Sequence, residues 1–158
     1  MFVFESEAYI RCMSQSASSM HSENQSPTRS GKRMLVFEDD QVQIRALMYL
    51  LRKYWPGCEI TVVRNRAESI EVVRKSAMTD FDMVWIDYQL EDASILGLAK
   101  EFSDFFFVKD KPPMLLCTSL ADEEIIAECK KHCAFDGFIP KPMRPEDIEA
   151  IAARFPNE

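Results

Sequence analysis

From Lys32 onward, short apolar runs alternate with stretches of helical periodicity, the pattern of a parallel sheet covered by helices on both faces. The runs at 34–37, 60–63, 83–86, 114–117 and 135–139 predict five strands. Between the first two, Ile44, Leu47, Met48 and Leu51 fall at i, i+3, i+4 and i+7, which is one buried stripe of a helix, and Asp40 is placed to cap its start. Ala67, Ile70 and Val73 mark a second helix, and a third is expected over about 96–106. Ile125, Ile126 and Cys129 follow Asp122, Glu123 and Glu124, whose charge suits the first turn of a fourth. Pro145 opens a fifth at its favoured first position, with Ile148, Ile151 and Phe155 facing inward. Strand and helix alternate strictly and no segment repeats, so the class is α/β.

The first 31 residues break this pattern. They are rich in serine, have little hydrophobic periodicity and cannot bury enough surface to offset chain entropy, so 1–31 is expected to be a disordered tail and 32–158 the folded domain. The apolar opening Met1-Phe2-Val3-Phe4 is followed at once by Glu5 and Glu7, which is unlike a secretion signal; it reads as a docking segment or an upstream start, with Met13 and Met20 as later starts. A length of 158 residues allows one domain and a tail. No stretch approaches the ~18 apolar residues of a membrane span. The net charge of −7 is the reverse of a phosphate-backbone binder, which argues against nucleic acid. Five scattered cysteines, an odd number, fit a reducing compartment, so the chain is expected to be cytoplasmic.

In a parallel sheet, ligands sit beyond the carboxyl ends of the strands. The first run ends in Glu38-Asp39-Asp40, the third in Asp87, the fourth in Thr118-Ser119 and the fifth in Lys141. Two carboxylates about 4 Å apart repel by about 4 kcal/mol at an effective dielectric near 20, and a divalent cation relieves this. All the candidate ligands are oxygens, which selects a hard ion, and few carboxylates plus water fit magnesium better than calcium. An aspartate beside such an ion, with a lysine and a hydroxyl opposite, can accept a phosphoryl group as an aspartyl-phosphate. Each feature has an ordinary reading taken alone: an acidic helix start, a turn aspartate, a hydroxyl bonded to local backbone. Their coincidence at one rim decides for the functional one.

Leu35-Val36-Phe37-Glu38-Asp39-Asp40, Trp85-Ile86-Asp87, Leu116-Cys117-Thr118-Ser119 and Phe138-Ile139-Pro140-Lys141-Pro142 together resemble the receiver domains of two-component response regulators, over about 33–155. The resemblance implies a flavodoxin-like, three-layer (βα)5 fold with strand order 2-1-3-4-5. It implies Asp87 as phosphoacceptor, Glu38 and Asp39 as the acidic pair, and Mg2+ held by Asp39, Asp87 and the main-chain carbonyl of Gln89, with Glu38 acting through water. Thr118 is expected to bond the phosphoryl oxygen and Lys141 to pair with the phosphate, while Phe138 is the aromatic that turns inward on activation. The Lys141–Pro142 bond is expected to be cis. No cofactor beyond Mg2+ is implied.

The sequence departs from the family at Glu91, usually proline, at Ile95, usually glycine, and at Cys133, a common glycine. Leu120, two residues past Thr118, places an apolar group on the path of attacking water, and with Gln89 it is expected to slow self-dephosphorylation. The expected role is a stand-alone phosphorylation switch or relay, not an enzyme in the ordinary sense. It would be charged by a sensor histidine kinase or a phosphotransfer protein and signal to a protein target through helix 4, strand 5 and helix 5, roughly 122–154. A haloacid-dehalogenase-like phosphatase needs a second aspartate two residues after the first, where Gln89 stands. A flavodoxin needs a hydroxyl- and glycine-rich loop where Glu38-Asp39-Asp40 would repel phosphate. A pseudo-receiver acting by binding alone remains as the other alternative. Cys129, His132 and Cys133 lack a fourth metal ligand, and with His21 the only other histidine no catalytic triad is supported.

Overall fold

The structure, a computed structural model, describes residues 31–119, 123–132 and 135–157, with only the main chain of Ile125 and His132. The expectations for the tail before Gly31, and for Leu120, Asp122, Cys133 and the inward packing of Ile125, lie outside the described residues.

Among the described residues five strands form one parallel sheet: β1 (Arg33–Phe37), β2 (Glu59–Val63), β3 (Met83–Asp87), β4 (Met114–Thr118) and β5 (Gly137–Pro140). Their order is β2-β1-β3-β4-β5, so the chain reverses direction across the sheet between β1 and β3, where α/β folds of this kind open a crevice. Helices α1 (Gln41–Tyr54), α2 (Arg66–Lys75), α3 (Ile95–Glu101), α4 (Glu123–His132) and α5 (Pro145–Arg154) connect and follow the strands. This is the expected flavodoxin-like arrangement.

Period-two alternation divides the core. Met34, Val36, Met83, Trp85, Leu115, Cys117 and Ile139 point to one face, where Leu47, Leu51 and Trp55 of the α1 side and Ile148 of α5 cover them. Leu35, Phe37, Val84, Ile86, Met114 and Leu116 point to the other, against the α3 side chains Ile95, Leu96 and Leu98, against Phe106, and against Cys129 of α4.

Several elements differ in detail from the periodic reading. Met48 is half-buried, not core; Leu50 takes the fourth buried place on α1. On α2 the inward side is Ser69, Val72 and Val73, while Ala67 is exposed. The Asn65 side chain caps the Glu68 amide and the small Ser69 lies next to the sheet, bonded back to the Asn65 carbonyl, which rotates the stripe. The third helix is not continuous: α3 ends at Glu101, Phe102 leaves the helical region at φ −114°, ψ 45°, and a separate four-residue turn, Ser103–Phe106, carries Phe105 and Phe106 into the core. A single-turn 3-10 helix, Met78–Asp80, buries Met78 ahead of β3. Finally, β5 starts at Gly137; Phe135 is buried, but Asp136 spends its carboxylate on the Met114 amide and the Lys111 ammonium.

Candidate functional site

The last residues of the strands build one pocket. Continuing the alternation of β1, β3 and β5 past Val36, Trp85 and Ile139 puts Glu38, Asp87 and Lys141 on the α1/α5 face, one layer above the core. The Lys141 amide donates to the Thr118 carbonyl at 3.1 Å, extending the β4–β5 ladder by one residue and fixing where the lysine begins. The side chain then reaches over β4, and its Nζ donates to Asp87 Oδ2 at 2.8 Å and to Glu38 Oε2 at 2.5 Å. The residue it passes on β4 is Cys117, paired in register with Asp87 and small enough to leave that path open. Burial pushes the Cys117 thiol up to about 12, so it stays neutral and adds no soft ligand to the pocket. The Lys141–Pro142 peptide is cis, as expected.

Glu38 is buried and fully engaged. Its amide donates to the Val63 carbonyl at 3.0 Å, and its Oε1 accepts from the Asp40 amide at 3.1 Å. Asp40 is the N-cap of α1, accepting from the amides of Val42 at 2.8 Å and Gln43 at 2.9 Å, so it is committed to the helix and not to the pocket. Burial raises the Glu38 carboxyl above its ordinary value despite the opposing bonds from Lys141 and the Asp40 amide. Burial also pulls the Lys141 ammonium down, but the bonds to Asp87 and Glu38 outweigh it and the net shift is upward.

Carboxylate oxygens of Glu38, Asp39 and Asp87 lie within 4.8 Å of one another. Three carboxylates against one ammonium leave two negative charges, which matches a divalent cation in both charge and hardness. The residues present therefore fit Mg2+. Gln89, the fourth expected ligand, donates its amide to Asp87 Oδ1 at 3.3 Å, which keeps its main chain beside the cluster. Its side chain turns away into its own loop. Thr118 is buried at the end of β4, and Phe138 is half-buried against the core, 6.3 Å from Phe135 and under the Lys130 ammonium at 5.7 Å.

Periodic reading of the sequence did not single out the exposed face of α1. Val42 and Tyr49 are 76% and 70% exposed, and Arg45, Arg52 and Lys53 flank them. The signal was present as a second stripe, opposite the apolar one, on a helix that begins at the pocket.

A folded-state carboxyl raised above its unfolded value binds its proton more readily when folded, so stability rises as pH falls through the folded value. Glu38→Gln keeps the acceptor for Lys141 and the Asp40 amide without the charge. It is expected to melt about 2–5 °C higher at neutral pH in chelator, in line with the ~0.5–2 kcal/mol gained when a functional charge is relieved. The difference narrows on acidification, as melting curves between pH 4 and 7 would record.

Comparison with known proteins follows the same lines. The family model described as "Response regulator receiver domain" matches residues 34–153. Among curated proteins, the hybrid signal transduction histidine kinase L of Dictyostelium discoideum is 22% identical over 144 residues, 89% of this chain but only 8% of that protein's length. Among solved structures, a CheY-like response regulator receiver domain protein from Methanospirillum hungatei superposes with a TM-score of 0.63 at 21% identity, covering 79% of this chain and 94% of that one. The receiver domain of a sensor histidine kinase from Pseudomonas aeruginosa, with a magnesium ion coordinated in its active site cleft, gives 0.62 at 17% identity, covering 79% and 97%. No helix among the described residues is long and apolar enough to cross a membrane. With the sheet order, the acidic cluster and its lysine already placed, the match over residues 34–153 assigns the chain to the response regulator receiver domain family.

Proposed function

We propose that this domain is a Mg2+-dependent phosphoacceptor switch that takes a phosphoryl group onto Asp87 from the phosphohistidine of a sensor kinase or phosphotransfer protein. The observation that carries the reading is the convergence of Asp87, Glu38, Asp39 and Lys141 in one pocket. An Asp87 carboxylate oxygen attacks phosphorus and the P–O bond forms as the P–N bond breaks, its electron pair going to an imidazole already protonated at the other ring nitrogen, so the donor histidine leaves neutral. Lys141, already 2.8 Å from the nucleophile's other oxygen, neutralises charge on the transferring group, and the Thr118 hydroxyl bonds one of its oxygens. Asp39, Asp87 and the Gln89 carbonyl, with Glu38 behind them, would hold Mg2+, which when bound would supply charge neutralisation for the phosphoryl oxygens. The domain transfers this group onto itself and turns over no separate substrate. The reading holds whether the domain works by itself or within a longer chain, and a cytoplasmic location is part of the proposal.

Output is assigned to α4, β5 and α5, which mix Lys130, Lys131 and Arg144 with Glu123, Glu124, Glu128, Asp147 and Glu149 and so suit a protein partner better than DNA. Input is assigned to α1. Its N-cap adjoins Asp39, so a protein that brings a histidine to Asp87 passes over its first turns and along its outer face, where Val42, Arg45, Tyr49 and Arg52 stand exposed from the first turn to the last.

Two experiments test this. Incubation with acetyl phosphate and Mg2+ is expected to add one phosphoryl group by intact mass, and chelator to prevent it; no Mg2+-dependent uptake would leave a module that signals by binding alone. The double variant Arg45→Glu, Arg52→Glu is expected to lower transfer from a phosphohistidine protein at least about tenfold, as loss of charge complementarity slows encounter. Its labelling by acetyl phosphate is expected to be unchanged, and equal slowing with both donors would remove α1 as the docking face.

A further inference from the structure

The loop between β3 and α3 carries a device that the phosphotransfer reading does not use. Across it, the Leu90 amide donates to the Ala93 carbonyl at 2.8 Å and the Ile95 amide to the Tyr88 carbonyl at 2.9 Å, which makes Gln89 and Ser94 a narrow antiparallel pair. In such a pair the residues' own amide and carbonyl point away from the partner. The Gln89 amide is accordingly at Asp87 Oδ1, and in extended backbone the carbonyl of the same residue leaves from the same edge, toward the acidic cluster.

The Gln89 side chain adds to these main-chain bonds. Its Nε2 donates to the Leu90 carbonyl at 3.0 Å and to the Ala93 carbonyl at 3.3 Å, so one carboxamide spans the turn. The two ends are anchored by Leu90 and Ile95, each 1% exposed, and the tip by Asp92, whose carboxylate accepts from the Arg66 amide at 2.7 Å at the start of α2. The tip residues Glu91 and Asp92 are exposed, while Leu90 and Ala93 pack on the core, so the polar ties act on the part of the turn that lies outside it.

We infer that the Gln89 carboxamide is a positioning residue: by clamping the turn 90–93 it presents its own main-chain carbonyl to the cation site. The inference rests on the Mg2+-dependent reading above. Glutamine at this position thus serves ion binding through its side chain as well as its backbone, and the side chain is committed to the loop and not to water at the phosphoryl group.

Gln89→Met keeps the length and bulk of the side chain and removes the carboxamide with its Nε2 donor. In the metal-free protein, amide exchange at Leu90 and Ile95 is expected to speed up about tenfold, the effect of losing one or two neutral hydrogen bonds, with the thermal midpoint unchanged within about 2 °C. Mg2+ affinity, read from tryptophan emission, is expected to fall about three- to tenfold. If loop exchange and Mg2+ affinity both match wild type, the clamp is refuted. If exchange rises but affinity stays within about twofold, the carboxamide is a brace with no part in ion binding and the proposal also fails. A wild type that neither binds Mg2+ nor takes up a phosphoryl group overturns the receiver reading itself, a result distinct from either of these.

Discussion

Asp87→Asn is expected to take up no phosphoryl group from acetyl phosphate under conditions that label the wild type to completion. Asparagine has the same shape, and its Oδ1 still accepts from Lys141, so the pocket keeps its outline while the nucleophile loses its charge. The expected loss of rate is at least about 10³-fold, since the carboxamide offers no charged oxygen to attack phosphorus. Glu38 already shares its two oxygens between Lys141 and the Asp40 amide, which leaves it poorly placed to attack. Intact mass after timed incubation, with and without chelator, measures this directly. Labelling of the variant at the wild-type rate would place the acceptor elsewhere, Asp39 being the first alternative. The variant is also expected to be no less stable than the wild type in chelator, because one of three crowded like charges is gone.

Lys141→Met is expected to act in the opposite sense on stability and in the same sense on chemistry. The ammonium is the one described cation bonded to both Glu38 and Asp87, and its side chain is only 6% exposed. Removing one partner of a buried pair costs about 3–5 kcal/mol, and the partial exposure of Asp87 brings the expectation to about 2–3 kcal/mol. That loss is measured by urea denaturation in chelator, and millimolar Mg2+ is expected to restore more than half of it, because the ion takes over the neutralising role. The raised Lys141 value sets the pH window. A base raised above its unfolded value contributes fully below that value and loses its contribution as pH rises through the folded one, so the gap between wild type and variant persists at neutral pH and closes only above the ordinary 10.5. Phosphoryl uptake is expected to fall about 10²–10³-fold even with Mg2+ saturating, the usual cost of one missing charge-stabilising donor. A variant as stable as the wild type in chelator would mean that the lysine does not compensate the carboxylates as its contacts indicate.

The fold was legible where local and tertiary preferences agree. Met34 to Phe37 is apolar on both faces because both faces are covered, and Asp40 caps α1 as its side chain chemistry favours. The pocket was legible for a related reason: Glu38, Asp87, Thr118 and Lys141 are polar residues immediately after apolar runs, and a parallel sheet brings such residues together. What could not be read were features that depend on which neighbour a residue meets. Ala67 and Ser69 are both small, and only the cap at Asn65 decides which of them faces the sheet. Phe102 to Phe106 is uniformly helical in its spacing, yet the chain breaks there so that two phenylalanines can enter the core from a different angle. Phe135 belongs to the core without belonging to a strand. The hydrogen bonds of the Gln89 carboxamide leave no periodic trace, because a single polar residue closing a turn looks like any other loop residue.

Trp85 lies two residues before Asp87 and is completely buried, with its ring set edge-on to that of Trp55 at 6.2 Å; Trp55 is equally buried and donates from its indole to the Phe155 carbonyl at 2.8 Å. Both tryptophans are therefore sealed from collisional quenchers such as iodide, and they stand close enough to exchange excitation energy. A change in emission when the pocket fills reports altered field and packing beneath Asp87, uncontaminated by solvent contact, so the domain carries its own internal optical probe at the floor of the site.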